Sequence, residues 1–120
     1  MADVEVKNFD SPDETRPFEG KGEAVVVNVA GRAIGKAVFE PGWKWSVNVK
    51  PIAGTESCEV SHLGYCISGR MKVYMDDGST TEIGPGDVSA IPPGHDAEVV
   101  GDEPYIGLDF GEFGDYAKRT

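Results

Sequence analysis

Apolar and polar residues alternate along most of this chain in short runs that end at turn residues. AVVVNV (24–29), KAVFE (36–40), WKWSVNV (43–49), VSHLGYCI (60–67), MKVYM (71–75), TTEI (80–83), DVSAI (87–91), AEVV (97–100) and YIGLDF (105–110) each read as a strand. Such spacing predicts an all-β sandwich or barrel. Residues 1–22 are polar and charged, with two prolines, and read as a loose N-terminal arm that could still pair with a sheet edge. The folded unit is expected over 23–111, and the tail, 112–120, carries a weak helical pattern.

Three turns share one chemistry. Glu40-Pro41-Gly42-Trp43, Gly84-Pro85-Gly86-Asp87 and Pro92-Pro93-Gly94-His95 each place proline second and glycine third, as a type II turn demands. Asp77-Gly78, between MKVYM and TTEI, predicts a tight hairpin.

Composition narrows the function. Eleven basic against 21 acidic residues give a net charge of −10, which repels nucleic acid and anionic lipid. No apolar run reaches the ~20 residues of a membrane helix, and the first residues lack the apolar stretch of a secretory signal, so a cytoplasmic protein is expected. Cys58 and Cys66, placed on one extended segment, would stand roughly 26 Å apart at ~3.3 Å per residue, too far for a disulfide. They read as free thiols of a reducing compartment. Ser-His-Asp order, a glycine-rich phosphate loop and a CxxC pair are all absent from the sequence.

With these elements in place, the chain resembles the cupin superfamily, small jelly-roll β-barrels, and in particular small single-domain bacterial cupins of RmlC-like type. One family motif runs Gly-x5-His-x-His and then Glu-x6-Gly; here it reads Gly42-x5-Asn48-x-Lys50 and, after a longer insertion, His62-x6-Gly69. The other runs Gly-x5-Pro-x-Gly-x2-His and here reads Gly86-x5-Pro92-Pro93-Gly94-His95-Asp96-Ala97. The resemblance implies a single-domain barrel, a small-molecule pocket inside it and pairing into a homodimer. It also implies a metal held by three histidines and a glutamate, yet those positions are occupied by Asn48, Lys50, His62 and Ala97. A subgroup with PGWxWSxHVKP has histidine where this chain has Asn48, and that resemblance implies a ligand lost at this position.

The two imidazoles have moved rather than vanished. Residues two apart on a strand face the same way, so His95 should point inward with the motif position at Ala97. The same parity groups His62 with Gly64, Cys66, Cys58 and Val60. A relocated divalent metal site at His62, His95 and Cys58 follows, with Asn48 or water as a fourth group. Imidazole with thiolate suits zinc first, with iron, nickel or copper as alternatives. The bland reading makes His95 a turn cap, His62 a core histidine and Cys58 a small buried residue.

Asn48, Lys50, Trp45 and Tyr65 are the candidate substrate contacts. Trp45, on the face of Trp43, could equally be packing or interface. Lys50 inside an apolar barrel would need a partner such as Glu56 or an anionic ligand. A Cys58–His62 nucleophile is set aside, because four residues of strand span ~13 Å. The function expected is a small-molecule pocket in the barrel holding one divalent metal, with the reaction left open; the resemblance implies that an enzyme of this kind would be of isomerase, cyclase or dioxygenase type. The alternative is a metal-free binding or sensor cupin using Asn48, His62 and His95 for hydrogen bonds.

Overall fold

The computed structural model describes residues 3–111 and Ala117. Apart from Ala117, the predicted tail therefore lies outside the described residues. Nine strands run in the order β1 (Glu14–Pro17), β2 (Gly22–Val29), β3 (Arg32–Phe39), β4 (His62–Ser68), β5 (Met71–Met75), β6 (Thr80–Ile83), β7 (Val88–Ile91), β8 (His95–Val99) and β9 (Tyr105–Asp109), with two four-residue helices between β3 and β4. They form an antiparallel sheet of order β1-β2-β3-β9-β4-β7 and a smaller one of order β6-β5-β8. This is the jelly-roll arrangement of a cupin, but the two sheets are not closed into a barrel. Within the polar arm, Glu14–Pro17 adds an edge strand antiparallel to β2.

Alternation sorts the side chains as the pattern demands. On β4, Cys66 is buried while Leu63, Tyr65 and Ile67 are exposed; on β8, His95, Ala97 and Val99 are buried. The core joins Ala24, Val26, Ala37 and Phe39 of one sheet to Met71, Val73, Ile83 and Ala97 of the other. An aromatic group closes one end: Phe39 lies 4.4 Å from Trp43, 5.2 Å from Phe18 and 5.8 Å from Tyr105, measured between ring centroids.

The three proline–glycine turns form, with φ of 91° at Gly42, 88° at Gly86 and 90° at Gly94. In the first two, the backbone closes the turn, Trp43 N–H to Glu40 O at 2.9 Å and Asp87 N–H to Gly84 O at 3.0 Å. The Asp77-Gly78 hairpin joins β5 to β6, and Gly78 N–H donates to Met75 O at 3.0 Å.

One predicted strand is a correction. WKWSVNV is not extended; the chain turns into α1 (Trp45–Asn48) and then α2 (Lys50–Ala53). A strand would put positions 43, 45, 47 and 49 on one face. Instead Val47 is 62% exposed while Asn48 is buried beside Trp43, Trp45 and Val49. Local polar groups override the two-residue period. The Asn48 amide oxygen accepts from Lys44 N–H at 3.0 Å, and Asp96 Oδ1 accepts from Ser46 N–H at 3.0 Å. Pro51 opens α2, and Gly54, at φ 74°, ends it in the left-handed conformation.

Candidate metal centre and cavity

His62 opens β4 and His95 opens β8, one in each sheet, and both point inward. Their rings meet at 5.2 Å between centroids, inclined by 67°. Cys58 joins them through backbone pairing: its N–H donates to His95 O at 2.7 Å, and its own carbonyl accepts from Gly94 N–H at 2.8 Å. One ligating atom from each of Cys58, His62 and His95 lies within 4.8 Å of the others.

The separation of Cys58 and His62 overturns the strand arithmetic. Sγ and Nε2 stand 3.6 Å apart, not ~13 Å, because residues 59–61 are not in a strand and both side chains turn toward one point. For tetrahedral bonds of about 2.3 Å to sulfur and 2.1 Å to nitrogen, the sulfur–nitrogen edge is about 3.6 Å. The pair therefore already has the spacing of two ligands to one ion.

The outer nitrogens are fixed. His62 Nδ1 is 2.5 Å from Asp109 Oδ2, and His95 Nδ1 donates to Pro92 O at 2.8 Å. Each bond leaves Nε2 as the nitrogen facing Cys58, in the carboxylate–histidine and carbonyl–histidine patterns that orient metal ligands. The third turn explains why His95 sits where it does: the imidazole, not the backbone, takes the Pro92 carbonyl that the first two turns use for closure.

Burial opposes charge on both Cys58 and His62, yet hydrogen bonding outweighs it. Burial alone would raise the Cys58 pKa, but the bonds to His62 and His95 bring it down to about 7. Burial would lower that of His62, but Asp109 and then Cys58 raise it to about 9. Both shifts favour a thiolate–imidazolium pair, with the Asp109 carboxylate on the far side of the imidazole.

Beside the cluster lies a half-enclosed cavity of about 80 Å³, reached by His62, His95 and Asp109. Its remaining walls are mostly apolar, including Phe39, Trp43, Trp45 and Met71. Both indole N–H groups are enclosed without an acceptor among the described residues, a cost set against the burial of two large rings.

Of the predicted substrate contacts, only Trp45 lines this cavity. Asn48 is buried but spent elsewhere, its amide nitrogen donating to Glu19 O at 2.7 Å and its oxygen capping Lys44. It is therefore no fourth group at the cluster. Lys50 sits at the start of α2, partly exposed and paired with Glu56 at 2.9 Å, so its charge is answered outside the cavity. Tyr65 occupies the opposite face of β4 from His62 and is 41% exposed, a consequence of the same parity that turns His62 inward. Asp109 and Tyr105 were missed. A carboxylate two residues from Gly107 and four from Tyr105, on an otherwise apolar run, was the available signal that it shares their inward face.

The EutQ-like cupin domain family matches residues 40–104, more than half of the chain. Among solved structures, KdgF from Halomonas sp. is 18% identical with a TM-score of 0.62, covering 95% of this chain and 97% of that one. An RmlC-like cupin from Shewanella frigidimarina is 18% identical, TM-score 0.61, with 96% and 98% covered. The polyketide cyclase RemF from Streptomyces resistomycificus is 18% identical, TM-score 0.61, with 88% and 77% covered. At these identities the likeness is one of fold. No curated protein matches the chain in sequence. On the extent of the family match, the chain belongs to the EutQ-like cupins.

Proposed function

We propose that this cupin holds one divalent metal ion through Cys58 Sγ, His62 Nε2 and His95 Nε2, beside a cavity that receives a small molecule. The observation that carries the reading is the convergence of two buried donors, Cys58 and His95, with the partly buried His62, the outer nitrogens of the two imidazoles being clamped by Asp109 and Pro92. The donor set fits zinc before iron, nickel or copper, because thiolate with imidazole matches a borderline-soft ion. Such an ion would polarise a ligand oxygen or activate water, the chemistry an isomerase, cyclase or dioxygenase would draw on. The protein's own part is to orient: Asp109 fixes His62, Pro92 fixes His95, and the apolar walls restrict water. Three protein donors leave a coordination position for the ligand.

Elemental analysis of untagged protein tests this. Near-stoichiometric zinc that falls on His62→Ala supports the reading; a folded protein that takes up no metal from excess zinc overturns it. One observation favours a second, metal-free reading, in which the cavity binds without catalysis. Cys58 and Asp109 both pair with His62, so each buried group already has a partner without an ion.

The outer face of β4 and β7 supports a homodimer. Leu63, Tyr65, Ile67 and Val88 are exposed together, Val88 by 74%, and Tyr65 is the register partner of Val88. Apolar surface gathered in this way marks an interface. Among the described residues no helix is long and apolar enough to cross a membrane. The two free cysteines support placing the protein in the reducing cytoplasm.

A further inference from the structure

The cavity is polar at one end only. Across three adjacent strands, Ser89 of β7 is paired with Gly64 of β4, and Gly64 with Asp109 of β9. His62 lies one step along β4 on the same face. At the other end of β9, Tyr105 is paired with Phe39, and Trp43 packs on Phe39. Between these ends Gly64 and Gly107 line the cavity without side chains, and the Tyr105 ring lies against Gly107.

The polar end holds one uncommitted group. Asp109 is engaged with His62 and with Gly111 N–H, and His95 with Pro92. Ser89 lines the cavity, and its hydroxyl makes no hydrogen bond among the described residues. The volume of about 80 Å³ offers roughly six water-sized spaces, the size of one ring.

We infer that the cavity takes a single flat, largely apolar ring bearing one oxygen function, with the oxygen at Ser89 and the ring beside Gly64, toward Phe39 and Tyr105. Aromatic or enone carbonyl compounds and phenols have this shape. A sugar does not fit, because each hydroxyl turned to the apolar walls goes unpaired, at about a tenfold loss of affinity apiece. The inference deepens the preceding reading by naming the ligand class beside the metal.

The chain's two tryptophans, Trp43 and Trp45, both line the cavity, so their fluorescence reports its occupancy. Full-length protein, chelator-treated and zinc-loaded, is titrated with acetophenone, toluene and glucuronic acid. Acetophenone is expected to change the fluorescence saturably in both forms, with glucuronic acid at least about a hundredfold weaker for two or more unmatched hydroxyls. Ser89→Ala should weaken acetophenone about three- to tenfold and leave toluene unchanged. Saturation by glucuronic acid at comparable concentration, a merely linear response to acetophenone, or equal loss of toluene on Ser89→Ala overturns the inference. The wild-type comparison stands even if the variant fails to fold. Zinc uptake without ring binding sinks this inference alone, whereas ring binding without zinc uptake sinks the metal reading alone.

Discussion

Asp109 Oδ2 and His62 Nδ1 are 2.5 Å apart, joining the end of β9 to the beginning of β4 through a partly buried pair. The carboxylate fixes which nitrogen of His62 faces Cys58, so it acts on any bound metal through the ligand. Asp109→Asn keeps the shape and removes the charge. Zinc affinity, measured by competition with a chromophoric chelator, should fall about 10- to 100-fold while the folded far-ultraviolet spectrum is retained. An unchanged affinity would show that the pair is structural only.

Metal uptake should depend on protons in a definite direction. Metal and protons compete for His62 Nε2, whose group titrates at about 9, and for Cys58 Sγ, which titrates at about 7. Affinity therefore rises with pH. Near about pH 8, where the thiol is largely ionised and the imidazole still charged, binding releases about one proton; below about 7 the release approaches two. Calorimetry in buffers of different ionisation enthalpy counts them, and a pH-independent affinity would contradict the ligand assignment.

Tyr65 should matter to assembly and not to the cavity. Tyr65→Glu places a charge in the exposed apolar face shared with Val88, where surface substitution costs the fold within about 0.5 kcal/mol. Light scattering should show a dimer of the wild type and a monomer of the variant, with zinc stoichiometry unchanged. A monomeric wild type would remove this face as a self-association surface.

Trp43 anchors the aromatic end, 2% exposed and packed on Phe39 and Phe18. Trp43→Ala should cost about 3–5 kcal/mol in denaturant unfolding. Trp43→Phe, which keeps a ring in the cluster, should cost clearly less. Equal losses would mean that the indole itself, not ring packing, is what the site requires.

Much of this architecture was legible from alternation and turn chemistry. Pro-Gly dipeptides marked the turns, and the inward faces of His62 and His95 followed from parity once the motif position at Ala97 was set inward by the resemblance. The stretch 43–49 misled because bulky residues at every second position imitate a strand, whereas the Asn48 amide, by capping Lys44, bends the chain into a helical turn. Asn48 was assigned by its motif position, which says nothing about where a bent segment aims it. The closeness of Cys58 to His62 was hidden for a related reason. Distance along a sequence converts to distance in space only where the backbone is extended, and residues 59–61 are not. Asp109 escaped notice because its partner lies 47 positions away, on a neighbouring strand.

The bond from His95 Nδ1 to the Pro92 carbonyl has a bearing on redesign. Since a main-chain atom holds this ring, swapping nearby side chains cannot re-aim it; only editing the loop itself can. Attempts to retune the centre by conventional point substitution should therefore succeed around His62, whose tether is another side chain, and meet resistance at His95.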